Sequence, residues 1–164
     1  MSPHSQHFTR ELRNALGSFA TGITVVTARD DDGQPVGLTV NSFNSVSLEP
    51  PLIVWSLGLQ TKVRPVFEHC RYYAVNVLAE DQIHISHRFA SRDSDKFAGL
   101  HLTDGIEGVP LLGGCCARFE CRNTVRHPGG DHLVFVSEVV RFGTSDRPPL
   151  LFHAGAYRKL APRE

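Results

Sequence analysis

Val36, Leu38 and Val40 alternate with Gly37, Thr39 and Asn41, a period of two that predicts a strand with one apolar face. The pattern then changes. Asn41, Ser42, Asn44, Ser45 and Ser47 crowd polar groups around Phe43, Val46 and Leu48, and Pro50 and Pro51 end the run because neither donates to a sheet ladder. Upstream, Phe8, Leu12, Ala15, Leu16 and Phe19 recur at helical spacing, while Arg10, Glu11, Arg13 and Asn14 fall elsewhere. That predicts an amphipathic helix over Phe8–Ala20, with Gly22 as a left-handed cap. The β-branched run Ile23–Ala28 predicts a buried strand, joined by D-D-D-G (Asp30–Gly33) to the Pro35 strand as a hairpin. Leu52–Leu57 and Tyr72–Leu78 read as core strands, and Thr61–His69 as a short helix with Val63, Val66 and Phe67 inward. Glu80–Ala90 reads as a helix with Ile83 and His87 or Ala90 on one side. Asp93–Gly99 reads as a short helix or turn, and Gly105–Gly114 as loop-like, with Val109, Pro110 and Leu111 as residues able to pack. From Ala117 to Arg126 apolar and charged positions alternate, so one face is wet. His127–Asp131 (H-P-G-G-D) turns the chain into a return strand, His132–Phe142, and Leu150–Phe152 and Tyr157–Leu160 close it.

This order is mainly β with a few short helices and no regular βαβ alternation, which predicts an antiparallel barrel rather than a doubly wound parallel sheet. The 164 residues suit a single domain over 1–164. A formal net charge of +0 leaves no basic excess to neutralise phosphates, so neither nucleic acid nor an anionic membrane is the expected partner. No apolar run reaches the roughly 18 residues of a membrane span, and Met1–Arg10 lacks a signal-peptide pattern, so the expected location is cytoplasmic. Cys70, Cys115, Cys116 and Cys121 do not have a zinc spacing and read as buried small apolar residues.

Few residues invite chemistry. The polar groups at Thr39, Asn41, Ser42, Ser45 and Ser47 have two readings: a strand end with Asx or Ser turns, or an edge that reads a flat polar ligand. His132 follows a tight turn and is either a surface residue or a donor at a site mouth. Ser86 and Arg88, with Lys96 downstream, would suit a phosphate or simply a solvated helix face, and Thr61 and Lys62 share those two readings. His84 and His87 have no third ligand at a recognisable spacing, so no metal is expected. G-x-G-x-x-G, the P-loop pattern and G-x-S-x-G are all absent.

With these stretches in view, the chain resembles the short-chain flavin reductases, the FMN-binding split-barrel family. The resemblance rests on F-A-T-G-I-T-V-V-T (Phe19–Thr27), P-V-G-L-T-V-N-S-F-N-S-V-S-L-E-P-P-L (Pro35–Leu52), Y-A-V-N-V-L-A-E-D-Q (Tyr73–Gln82) and I-S-H-R-F-A (Ile85–Ala90). D-K-F-A-G (Asp95–Gly99), G-G-D-H (Gly129–His132) and P-L-L-F-H-A-G-A-Y (Pro149–Tyr157) continue it in order. It implies a flavin-reductase-like antiparallel split β-barrel that forms a homodimer and passes a hydride from NADH or NADPH to FMN or FAD. Reduced flavin would then go to a partner flavin-dependent monooxygenase. It further implies that Thr39, Val40, Asn41 and Ser42, with Ser45, Val46 and Ser47, line the isoalloxazine. Thr61, Lys62, Ser86 and Arg88, with neighbouring Phe89, would lie by the ribityl or phosphate. His132 would act on the nicotinamide side, with Phe152, His153, Ala154, Gly155 and Tyr157 in the pyridine-nucleotide pocket. Related sequences often carry an arginine near the final G-x-Y, whereas Ala154 and Ala156 flank Gly155 here, and Leu57–Gln60 is more apolar than the usual loop. Both departures bear on how phosphates are held, hence on FMN against FAD and NADH against NADPH. The alternative is a flavin-binding carrier or sensor without reductase turnover; an oxidase related to the pyridoxamine-phosphate oxidases is a third reading.

Overall fold

The computed structural model describes residues 3–92 and 95–161. In chain order the elements are α1 (Pro3–Gly17), β1 (Thr21–Gly22), β2 (Thr24–Arg29), β3 (Pro35–Val40), β4 (Asn44–Leu48), β5 (Pro51–Gly58), α2 (Arg64–His69) and β6 (Tyr72–Val77). There follow α3 (Ile83–Ala90), β7 (Leu102–Asp104), a 3-10 turn (Ile106–Gly108), β8 (Pro110–Leu112), β9 (Ala117–Gly129), β10 (His132–Thr144), β11 (Leu151–His153) and β12 (Ala156–Arg158). The protein is mainly β with three α-helices among the described residues, and each ladder in its sheets is antiparallel.

Seven strands form the main sheet in the order β3-β2-β6-β9-β10-β5-β4. Consecutive strands β3 and β4 thus sit at opposite edges, linked only by Asn41–Phe43. Laid flat, seven strands about 4.8 Å apart would hold those edges roughly 29 Å apart. The link from Val40 to Asn44 reaches at most about 14 Å. The sheet therefore curls on itself. Ser42 fixes the curl: its hydroxyl accepts from Ser56 N at 2.9 Å and approaches Ser56 O at 3.2 Å, a link to β5.

Inside the curl, Trp55 stacks on Phe135 with ring centroids 4.5 Å apart and meets Phe67 of α2 edge-on at 5.4 Å. Its Nε1 donates to the Tyr73 hydroxyl at 2.9 Å, the polar answer a buried indole needs. Burial pushes the Tyr73 phenol far above its ordinary range, so it stays neutral. A second core forms on the outer face, where Ile85 and Phe89 of α3 pack with Ile23, Val25, Leu78, Leu112 and Leu150. Gly37 permits this approach: a Cβ there would stand 2.8 Å from Phe89 Cε1. Fully buried Asn76 ties this side together. Its Nδ2 donates to Val25 O and Thr27 Oγ1, each at 3.0 Å, and its Oδ1 accepts from Leu112 N at 2.9 Å.

Several expectations need correction. The N-terminal helix ends at Gly17, not Ala20, and Gly22 is no cap but pairs with Leu151. The cause is the Gly17 carbonyl, which accepts from Ala154 N at 2.8 Å. The apolar stripe of α1 does not enter either core: Phe8, Leu16 and Phe19 remain 64%, 67% and 71% exposed. In α3 the inward residues are Ile85, Ser86 and Phe89, while His87 and Ala90 are exposed. The expected loop at Gly105–Gly114 contains strand β8, paired with β7 and held by Asn76, and the turn expected at His127–Asp131 narrows to Gly130–Asp131. The expected element at Asp93–Gly99 lies partly outside the described residues, and 95–99 is irregular with a short turn.

Tyr73→Phe removes the acceptor for Trp55 Nε1 and leaves that N–H buried. Urea unfolding should show a loss of about 1–3 kcal/mol. An unchanged midpoint would mean that the indole finds another partner.

Candidate functional site

Two cavities flank the C-terminal end of β3. The first, about 590 Å³, lies between Leu38 and Thr39, the Gln60–Val63 turn, the end of α3 at Phe89 and Ala90, and Ser91, Arg92 and Lys96. Its wall is braced from behind. Thr39 Oγ1 donates to Ser86 O at 2.7 Å, and Ser86 Oγ lies 2.8 Å from the Tyr157 hydroxyl. Tyr157 in turn meets Phe152 edge-on at 5.6 Å. Lys62, Arg92 and Lys96 bring positive charge to the lining, which carries no carboxylate among its described residues. Lys96 Nζ donates to Phe89 O at 3.0 Å, fixing its stem against the helix end.

His132 stands at the edge of this cavity. It pairs with Gly58 across the β5–β10 ladder, and Leu59 N donates to Asp131 O at 2.9 Å, so the Gly58–Thr61 turn is tied to the hairpin tip. A Cβ built on Gly58 would lie 3.4 Å from Thr61 Oγ1 and 3.8 Å from His132 Nε2, so both groups converge on the space that glycine leaves. The other ring nitrogen, Nδ1, lies 2.6 Å from Asp131 Oδ1. The hydrogen bond from His132 holds the Asp131 carboxyl below its ordinary range. The pair is therefore intact at neutral pH and is lost as pH falls through that lowered value. With Nδ1 turned to the carboxylate, Nε2 is the ring nitrogen on the side of Gly58 and Thr61.

The second cavity, about 480 Å³, lies beneath α1. Arg13, Asn14, Leu16 and Gly17 form one side, Phe19, Thr21 and Asn41 the middle, and Phe152, Ala154 and Gly155 the other side. The tight β11–β12 turn positions that far side with Ala154 at φ 49° and Gly155 at φ 76°.

The candidate residues distribute over these places as follows. Thr39, Thr61, Lys62 and Phe89 line the first cavity, with His132 beside it; Asn41, Phe152, Ala154 and Gly155 line the second. Ser86 is fully buried and its hydroxyl is committed to Tyr157, so both residues brace the wall. Arg88 turns away, donating from Nη1 to Ala98 O at 2.8 Å. Val40 packs into the first core and its carbonyl accepts from Thr24 Oγ1 at 3.1 Å. Ser42 is taken up by the Ser56 link. Ser45, Val46 and Ser47 lie on edge strand β4 and line neither cavity, and His153 lies in β11. Gln60, Ser91 and Arg92 escaped the sequence reading, as did Arg13 and Asn14, which it treated as the wet side of a helix. The run of basic residues from Arg88 to Lys96 was the available signal for Arg92.

The fold is a curled antiparallel sheet with two neighbouring cavities lined by hydroxyls, amides, aromatic rings and cations. Residues 16–161 match the flavin reductase like domain, and the chain belongs to that family. It is 45% identical over 153 residues to the FMN reductase (NADH) SmoA of Agrobacterium fabrum, spanning 93% of this chain and 87% of SmoA. It is 40% identical over 148 residues to the reductase component of the flavin-dependent trigonelline monooxygenase of Acinetobacter baylyi, spanning 90% of this chain but only 48% of that longer protein. The structure of the Streptomyces globisporus NADH:FAD oxidoreductase SgcE6, in complex with NAD and FAD fragments, superposes with a TM-score of 0.89 at 36% identity, covering 94% of this chain and 93% of that one.

Ala154 occupies left-handed backbone at the cavity edge. Ala154→Gly should remove that strain and raise stability by about 1 kcal/mol in urea unfolding. A lowered midpoint would show that the methyl group's contacts outweigh the strain.

Proposed function

We propose that this protein is an NAD(P)H:flavin oxidoreductase that supplies reduced flavin to a partner monooxygenase. The observation that carries the reading is the first cavity: three cations and a set of hydroxyl and amide groups surround it, with His132 Nε2 and Thr61 converging at its edge. That donor set fits a flavin phosphate and ribityl chain. When bound, a flavin supplies the acceptor for hydride from a reduced nicotinamide, chemistry that resides in the cofactors. The protein's part is placement and charge. Lys62, Arg92 and Lys96 neutralise phosphate. Thr39 and Thr61 present hydroxyls along the wall, and Phe89 gives it an apolar floor. A protonated His132, held at Nδ1 by Asp131, would offer Nε2 as a donor where negative charge grows. Phe152, Ala154 and Gly155 in the second cavity take the dinucleotide.

The rest of the reading follows from the same fold. The sheet, curled but with β3 and β4 unpaired to each other, suits a split barrel over 1–164 as one domain. The exposed Phe8 and Leu12 of α1, together with Val46 and the 93% exposed Leu48 on β4, suit burial in a homodimer, which would bring Ser45, Val46 and Ser47 to the flavin. FMN and NADH are favoured by the likeness to SmoA, FAD and NADH by that to SgcE6. The trigonelline monooxygenase relative motivates an oxygenase partner. Four free thiols suit a reducing, cytoplasmic setting, and no described helix is long and apolar enough to cross a membrane.

Purified protein mixed with NADH or NADPH should oxidise it only when FMN, FAD or riboflavin is added. Flavin that binds without being reduced would favour a carrier, and no acceleration by any flavin would end the reductase reading. His132→Ala should slow single-turnover hydride transfer by about tenfold to a hundredfold while flavin affinity changes less. An unchanged single-turnover rate removes His132 from the reaction.

A further inference from the structure

The cavity beneath α1 holds polar groups that the protein leaves unanswered. Arg13, Asn14 and Asn41 line it as exposed side chains that make no hydrogen bond or ion pair with another described residue, so all three are free to turn to a ligand. Phe152 lines the same space, as does Phe19, which belongs to neither core and is 71% exposed. Flat apolar walls with a few converging polar groups are what a heterocycle on a sugar-phosphate chain requires.

Charge narrows the choice. Arg13 is the one cation among the described lining residues, and no carboxylate is there to pair with it. Across the cavity the Ala154–Gly155 turn adds no charge, although it closes directly on the helix end through Ala154 N and Gly17 O. A phosphate group in this space therefore has a single ionic partner, and that partner comes from α1.

We propose that Arg13 is the anion-holding and specificity-determining residue of the pyridine-dinucleotide subsite, with Asn14 and Asn41 as its polar companions. The proposal rests on the flavin reductase reading in taking the dinucleotide as the ligand. A guanidinium forks onto two phosphate oxygens, which an ammonium does not. The sequence pattern concealed this role because Arg13 lies off the apolar stripe of α1, where a solvated charge is the ordinary expectation.

Calorimetric titration of the whole protein with NAD+ and with NADP+ tests it. Arg13→Ala should weaken binding of at least one of the two by about tenfold or more, with Arg13→Lys intermediate. An equal loss for both places Arg13 on the shared pyrophosphate, and a loss confined to NADP+ places it on the 2′-phosphate; either supports the proposal. FMN affinity, followed by flavin fluorescence, should stay within about twofold, because Arg13 lines only the second cavity. Unchanged affinities for both dinucleotides overturn the proposal. So does an equal fall in FMN affinity, or a change of association state in sedimentation that accounts for the loss. Arg13→Gln, which keeps side-chain length and helix propensity, decides the matter if the alanine variant folds poorly. If the wild-type protein binds NAD+ through Arg13 yet reduces no flavin, the reductase reading fails while the subsite stands.

Discussion

The three residues Asn41–Phe43 constrain everything else. They must carry the chain from one edge of a seven-stranded sheet to the other, a distance no flat sheet allows them to cover. Curling is the only solution, and the Ser42–Ser56 hydrogen bonds secure it. Curling also creates the interior that Trp55, Phe67, Tyr73 and Phe135 fill. It leaves Thr39 at one cavity and Asn41 at the other, two residues apart on the same strand end. One short link thus sets both the core and the relation between the two cavities.

Around that link the protein uses bracing rather than reactive groups. Thr39, Ser86 and Tyr157 form a chain of hydrogen bonds from the first cavity to β12. Asn76 fixes β8 against β2 and β6. Gly37 and Gly58 clear space, one for Phe89 and one for Thr61 and His132. The thiols are no exception: burial pushes Cys115 and Cys121 each up to about 12, so neither is a nucleophile at neutral pH. For a reaction whose chemistry resides in its cofactors, rigidity and placed charge are the parts a protein must supply.

Most elements were legible because their periods are local. The alternation in Pro35–Val40, the apolar run Leu52–Leu57 and the wet-faced strand from Ala117 each announce themselves within a few residues. The errors have a common cause. Strand β8 is short and apolar among glycines, and its ladder with β7 and the bond from Leu112 N to Asn76, 36 positions away, make it a strand. The N-terminal helix stops early because Ala154, far along the chain, takes its last carbonyl. The inward face of α3 carries the i, i+4 pair Ile85 and Phe89, and Gly37 on β3 leaves the space that Phe89 fills.

The sequence by itself determined the mainly β order, the polar break after Val40 and, through its motifs, the family. It also marked Thr39, Thr61, Lys62, Phe89 and His132 as candidates. Only the tertiary structure decided which of the polar residues face a cavity and which are spent on the frame. Ser42, Ser86 and Arg88 look on paper like ligand groups, yet each is bonded within the protein. Arg92 and Arg13 look like solvated charges, yet each lines a cavity. The reason is physical: a side chain's type fixes what it can donate or accept, but its partner is chosen by whichever distant segment packing brings within 3 Å.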